Sequence, residues 1–209
     1  MIILAPHFTR FPDVSLAEAD GLLAIGGNLE YETLKQAYQS GIFPWYSEGE
    51  PICWYAPPER CVILPEQVKV SKSMEQLLRS GRLEITFNQA FEEVIRQCAI
   101  IERPGQEGTW ILPEMQAAYL RLHKAGHAHS VEVWEDGALA GGLYGVAVKD
   151  IFCGESMFSR RSNASKAALI WLCRQGNFSL IDCQVPNDHL MSLGAVMISR
   201  KKYMHYLAK

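Results

Sequence analysis

The sequence has no CxxC pair. Its six cysteines stand at 53, 61, 98, 153, 173 and 183, spacings that supply neither a zinc ribbon nor a disulfide framework and that fit reduced thiols. No stretch combines the length and freedom from charge of a membrane span, and the start, MIILAPHFTRFPDV, lacks the basic residues and sustained apolar run of a secretory signal. A cytoplasmic protein with no membrane partner is expected. Internal repeats and low-complexity tracts are missing too, as is an excess of one charge: the net charge is −3 over 209 residues. That balance does not advertise a nucleic-acid binder, but it leaves room for a local basic stripe. With 48% hydrophobic and 21% charged residues, the chain suits a globular protein with one main core and a small appendage.

Glycine is absent from two chemically dense stretches. MFSRRSNAS joins a strand to a helix without one, which disfavours the backbone N–H cradle that holds the pyrophosphate of CoA or a nucleotide. SLIDCQVPNDH, residues 179–189, has none either. Read as a strand over Ser179 to Val185, it would put Asp182 and Gln184 on one face and Cys183 on the other. A nucleophile reading pairs Cys183 with His189, and a metal reading takes Asp182, Cys183 and His189. The plain reading makes Cys183 core and Asp188 a turn or cap residue. Glu155 ends a strand nearby, either facing one cleft with Asp182 and Gln184 or pairing with Arg160 or Arg161. His127 and His129 lack a third ligand partner for zinc. The glycine pairs in AIGGN and AGGLYG mark turns, bulges or close strand packing more often than phosphate sites.

Periodicity and breakers give a coarse map. A helix is expected over Tyr31–Gln39, then an aromatic loop with Trp45, Trp54 and Tyr55, closing a small N-terminal domain over residues 1–60. Residues 61–209 form the larger domain, opening on a strand over Arg60–Leu64. Further elements are a helix over Ser71–Arg79, a strand over Leu83–Phe87, and a helix over Gln89–Ala99 capped by Asn88. RPGQEGTW, with Trp110, reads as a loop. A helix over Pro113–Lys124, strands over His129–Trp134, Leu139–Val148 and Ile151–Gly154, and a helix over Asn163–Cys173 capped by Ser162 or Asn163 complete an α+β pattern. Its sheet is expected to be mostly antiparallel.

Lys69, Lys72, Arg79 and Arg82 make the one local surplus of positive charge in the first half, either a solvated face or a phosphate-binding stripe. The loop tryptophans are lids over a core or stacking platforms for bases, with core the default for Trp54.

GLLAIGGNL, AYQSGIFPWYS, EGTWI, GHAHSVEVW, FCGESMFSRRSNASK and LIDCQVPNDH, in this order, closely resemble the bacterial leucyl/phenylalanyl-tRNA protein transferases over nearly the full length. The resemblance implies transfer of Leu or Phe, and less readily Met, from aminoacyl-tRNA to proteins beginning with Arg or Lys, marking them for degradation by the N-end rule pathway. It implies a C-terminal domain similar to the GCN5-related N-acetyltransferase fold, adapted to tRNA in place of CoA, with no cofactor and no metal. By motif, Asp182 and Gln184 would sit at the reacting centre, Glu155 would meet the cationic acceptor residue, and Asn187 would join that network. Trp45 and Trp110 would line the site for the terminal adenosine and its amino acid. Leu143, Met157, Leu172 and Ile181 would form the amino-acid pocket, and the basic residues at 69, 72, 79 and 82 would meet tRNA. Leu143 stands where well-known members carry methionine, and Glu75 and Gln76 where they carry cations.

An aminoacyl ester is already activated, and an α-amino group of pKa about 7.7–8.0 is partly neutral near pH 7, so positioning suffices. On this reading Asp182 accepts a hydrogen bond from the Gln184 amide and so orients it. Whether Gln184 relays a proton or only orients the amine is left open by the sequence. Competing readings are a small-molecule N-acyltransferase and a module that binds an RNA end or a peptide N-terminus without turnover.

Overall fold

A computed structural model describes residues 1–101 and 108–208. Most of the RPGQEGTW loop, and Lys209, lie outside the described residues. The chain begins with β1 (Ile2–Leu4), β2 (Leu22–Gly26), α1 (Tyr31–Gln39), β3 (Phe43–Pro44) and β4 (Cys53–Tyr55). These strands form a four-stranded sheet in the order β1-β2-β4-β3. Asn28 sets the start of α1, its Oδ1 accepting from the Glu30 N–H at 2.9 Å and the Thr33 hydroxyl at 2.7 Å. Gly41, at φ 73°, ends it. Trp54 and Tyr55, expected in the aromatic loop, belong to β4, and Trp54 is fully buried as core.

There follow β5 (Glu59–Ile63), α2 (Lys72–Arg79), β6 (Glu84–Phe87), α3 (Phe91–Ile100), α4 (Pro113–Lys124), β7 (Ala128–Glu135), β8 (Ala138–Val148) and β9 (Ile151–Ser159). The chain continues through α5 (Ala164–Gln175), β10 (Leu180–Gln184), α6 (Asp188–Ser192), β11 (Val196–Ser199) and α7 (Arg200–Ala208). The seven strands make one sheet in the order β11-β5-β10-β9-β8-β7-β6. As expected, its pairings are antiparallel apart from β9 with β10.

Local chemistry accounts for the boundaries. Ser71 caps α2 by accepting from the Met74 N–H, and Pro113 opens α4 where a missing N–H costs nothing. Two expected caps are replaced. Asn88, at φ 60°, holds the Ser130 N–H and the His129 Nδ1, so α3 starts only at Phe91. Asn163 stands at the N-cap position of α5 but makes no side-chain cap bond; the Ser159 hydroxyl supplies one, accepting from the Ser165 N–H at 2.8 Å. In AGGLYG, a Cβ at Gly141 would lie 2.6 Å from the Ala164 Cβ, which explains how α5 packs directly on β8.

Cores lie on both faces of the large sheet. One is filled by Leu34, Tyr38, Trp54, Ile95, Tyr119 and Tyr203, so the N-terminal sheet, α1, α3, α4 and α7 share a single interior. The other packs α2, α5 and α6 through Met74, Ile170, Leu172 and Leu190. Burying each large side chain contributes about 1.5–3 kcal/mol.

The pairing of β9 with β10 ends at Cys153 and Asp182. Beyond it β9 runs on beside β8 to Ser159, well past the expected end at Gly154, while β10 bulges away. The two strands part and leave a notch.

Candidate active site

A cleft of about 240 Å³ occupies this notch. Its apolar end is made by Leu143 of β8, Met157 of β9, Leu172 of α5 and Ile181 of β10, with Leu143 and Met157 directly opposed across the strands. Glu155 and Gln184 form its polar edge, Trp45 and Trp110 its rim, and Asn187 lies beside them. The structure therefore brings these sequence-selected residues to one place. Leu169 also lines the cleft, and the sequence reading missed it. Its position three residues before Leu172, on the same helix face, was the available signal.

Asp182 and Cys183 exchange the places expected for them. Alternation holds as far as Cys183, which puts Ile181 and Cys183 in the cleft wall and turns Asp182 into the opposite core, where it is 0% exposed. Gln184 reaches the cleft because its backbone is left-handed, at φ 62°, in a bulge where Asp182 pairs with Val62 and Gln184 with Cys61. The expected side-chain bond between Asp182 and Gln184 is not formed. Instead Asp182 Oδ1 accepts from the Gln184 backbone N–H at 2.9 Å, which holds the bulge in shape.

The remaining partners of Asp182 come from distant segments. Arg60 Nε donates to Oδ1 at 3.0 Å and to Oδ2 at 3.1 Å, and the Tyr203 hydroxyl donates to Oδ2 at 2.8 Å. Burial disfavours the Arg60 charge, but the Asp182 carboxylate together with Tyr203 and Cys153 more than offsets it, so the guanidinium pKa is raised.

Among the described residues Glu155 has only neutral hydrogen-bond partners. Tyr119 donates its hydroxyl to Oε2 at 2.8 Å, and Gln184 Nε2 donates to Oε1 at 2.8 Å. Behind them the Tyr38 and Tyr119 hydroxyls share a short hydrogen bond. Burial pushes the Glu155 carboxyl up to about 7, against the lowering effect of the tyrosine and glutamine donors. An ionised carboxylate only accepts, so the Gln184 NH₂ must face Glu155 and its carbonyl oxygen must face away from it. The ion pair weighed for Glu155 does not form: Arg160 donates to Gln97 Oε1, and Arg161 lies 3.7 Å from Glu135.

Cys183 is a poor nucleophile. The Cys61 thiol hydrogen-bonded beside it and its own burial raise its pKa well above the usual thiol value, and its Sγ also lies 3.9 Å from the Ile181 carbonyl, a weak contact. His189 lines the same cleft, its Nε2 buried without a hydrogen-bond partner among the described residues, and burial lowers its pKa. Asn187, rather than Asp188, is the cap of α6, accepting from the Leu190 N–H at 2.9 Å. Among the described residues no three His, Cys, Asp or Glu side chains gather closely enough to hold a metal.

At the β9–α5 turn the N–H groups of Arg160 and Arg161 both donate to the Ala140 carbonyl, and that of Ser165 is held by Ser159. Those amides have no spare capacity for a pyrophosphate. On the outer face, Arg79 and Arg174 pair with Glu75, and Arg82 pairs with Glu135. Lys69 and Lys72 are exposed with no ion-pair partner among the described residues. No helix among the described residues is long and apolar enough to cross a membrane.

The chain is similar to known proteins. Residues 62–208 match the family described as leucyl/phenylalanyl-tRNA protein transferase, and residues 27–58 match the N-terminal domain of the same family. A protein of that name from Syntrophus aciditrophicus is 55% identical over 95% of this chain and 84% of its own. Another, from Flavobacterium johnsoniae, is 53% identical over 94% of each chain. Among solved structures, FemX superposes with a TM-score of 0.53 at 9% identity, over 85% of this chain and 71% of its own, a likeness of fold alone. The fold is of the expected α+β class, a small N-terminal part joined to a mostly antiparallel seven-stranded sheet, and it is like that of FemX. From the family match over residues 62–208, and from identity above half across nearly the whole sequence, the chain belongs to the leucyl/phenylalanyl-tRNA protein transferase family of acyltransferases.

Proposed function

We propose that this protein transfers Leu or Phe, and less readily Met, from aminoacyl-tRNA to the α-amino group of cytoplasmic proteins that begin with Arg or Lys, marking them for degradation by the N-end rule pathway. In this reading residues 1–60 form a small N-terminal domain and residues 61–209 the catalytic one. The observation that carries it is the division of one cleft: an apolar end of Leu143, Met157, Leu172 and Ile181 next to a polar edge of Glu155 and Gln184. An apolar amino-acid side chain enters the first, which places its ester carbonyl at the second. Trp45 and Trp110 stack on the terminal adenosine, and Lys69, Lys72, Arg79 and Arg82 meet tRNA phosphates.

The Gln184 carbonyl accepts a hydrogen bond from the acceptor's neutral amine and aims its lone pair at the ester carbon. A C–N bond forms, the ester C–O bond to the ribose breaks, and the amine's proton leaves with the ribose oxygen as a hydroxyl. An amide is too weak a base to hold that proton, so Gln184 orients the amine and is the catalytic residue, while Asp182 is a positioning residue that shapes its bulge. Glu155 pairs with the acceptor's Arg or Lys side chain.

The test supplies leucyl-tRNA, phenylalanyl-tRNA and acetyl-CoA as donors to peptides starting with Arg. Aminoacylated peptide from the tRNA donors alone is expected, with tRNA affinity falling more steeply with salt than that of a minimal aminoacyl-adenosine. Acetylated peptide, or binding of tRNA without turnover, would overturn it in favour of the small-molecule acyltransferase or the binding module.

A further inference from the structure

Arg60 is 3% exposed and lies outside the cleft wall, yet it touches the supports of both substrates' sites. Through Asp182 it braces the left-handed bulge at Gln184. Through Nη2 it donates to the Gly41 carbonyl at 3.1 Å, and its guanidinium lies 4.7 Å from the centre of the Phe43 ring. The centre of the Tyr203 ring lies 4.5 Å from the same guanidinium. Phe43 and Pro44 form β3, and the next residue is Trp45, whose N–H donates to the Cys53 carbonyl at 2.9 Å on the rim of the cleft.

We propose that Arg60 is a positioning residue of the transfer reaction, one planar group that locks the Gln184 bulge and the Phe43–Pro44–Trp45 edge into a single rigid unit. This rests on the reading that Gln184 faces the acceptor amine and Trp45 the donor. The lock fixes the distance between attacking nitrogen and ester carbon, a quantity on which rate depends steeply. Lysine cannot replace it: an ammonium keeps the charge that Asp182 needs but has no planar group for the two rings and no fork to reach Gly41 as well. Phe43 and Tyr203 then act on two parts of one device. The first governs the donor edge and the second the acceptor bulge.

The experiment measures kcat, both KM values and the unfolding midpoint for Arg60→Lys, Tyr203→Phe and Phe43→Leu, with leucyl-tRNA and an Arg-starting peptide. Arg60→Lys is expected to lower kcat by about tenfold or more at saturating substrates in protein that remains folded. Tyr203→Phe removes one bond to Asp182 and lowers kcat severalfold with the donor KM unmoved; Phe43→Leu raises the donor KM severalfold with the acceptor KM unmoved. A uniform loss of folded protein would move neither KM. Arg60→Lys with unchanged kcat, or a loss fully accounted for by its folded fraction, overturns the proposal. If Arg60→Lys does not fold, unchanged kinetics in the other two variants overturn it. Unchanged transfer in Gln184→Ala and Trp45→Ala would sink the underlying reading instead; losses there beside an intact Arg60→Lys would sink this proposal alone.

Discussion

Asp182, fully buried, and Glu155, half-buried at the edge of the cleft, sit on adjacent strands, and their charges are handled in opposite ways. Asp182 faces a full cation, a tyrosine hydroxyl and a backbone N–H, and nothing in its surroundings is left for a ligand to supply. Among the described residues Glu155 receives tyrosine hydroxyls and an amide but no cation, and its carboxyl is pushed up to about 7 by burial. The first acid is complete without substrate and holds the scaffold. The second becomes complete when a cation enters the cleft, as an N-terminal Arg or Lys side chain would.

The largest effect that would break this contrast is on stability. Asp182→Ala leaves Arg60 buried and unpaired and is expected to lose about 3–5 kcal/mol in denaturant unfolding; a loss confined to turnover would make Asp182 a site acid after all. Next comes selectivity. Glu155→Gln should lower kcat/KM for Arg- and Lys-starting peptides by about tenfold while sparing an Ala-starting one, measured by competition with saturating leucyl-tRNA. An unchanged ranking would mean that Glu155 does not read charge.

A smaller effect follows from pH. The groups facing Glu155 are Tyr119, Tyr38, the Gln184 amide and, more distantly, Asp182. Its folded pKa is raised, so the native state binds this proton more tightly than the unfolded chain does. Its contribution to stability falls as pH rises from the ordinary carboxylate value to about 7 and is constant above. The advantage of Glu155→Gln in unfolding midpoint over the parent should therefore grow from pH 5 to pH 8, and the parent's preference for Arg over Ala acceptors should grow through pH 7, each by a few-fold or a few degrees at most. A flat profile for both would place the charged form elsewhere. The smallest effect is that of Cys183→Ala, which should stay within about threefold of the parent rate, since a buried thiol with a raised pKa forms no acyl intermediate. Trapping an aminoacyl-cysteine would reverse that.

Much of this was legible in the sequence. Helices over Tyr31–Gln39 and Pro113–Lys124 stand where periodicity, Gly41 and Pro113 put them, and the apolar cleft residues lie together as the motifs implied. Asp182 and Cys183 were misplaced because a period of two assumes uniform extended backbone, and nothing in the letters LIDCQ announces a left-handed glutamine. The partners of Asp182 were out of reach for another reason. Arg60 is 122 residues away, and Tyr203 lies on α7, whose weak amphipathic pattern gave no helix to the sequence reading. Long-range charge pairing leaves no local periodicity. At Asn88 the reason is of the same kind, its side chain holding the Ser130 N–H across the fold instead of the nearest helix, whereas Ser159 serves the adjacent α5 from six residues before the N–H it accepts.

The order of strands also governs how the chain acquires its structure during synthesis. Both neighbours of β5, which is made of residues near 60, are supplied by residues 180–199. Until that segment leaves the ribosome, β5 has two bare edges and β9 has one, and Arg60 is an uncompensated cation. Contacts of such high sequence separation make closure of the sheet a late and slow event. The waiting intermediate, with unpaired edges and half-covered cores, is the species most prone to aggregate. Loss of the last thirty or so residues would therefore remove the interior strand that joins β5 to the rest of the sheet along with the strand at its edge, a defect that no local repair near β5 could restore.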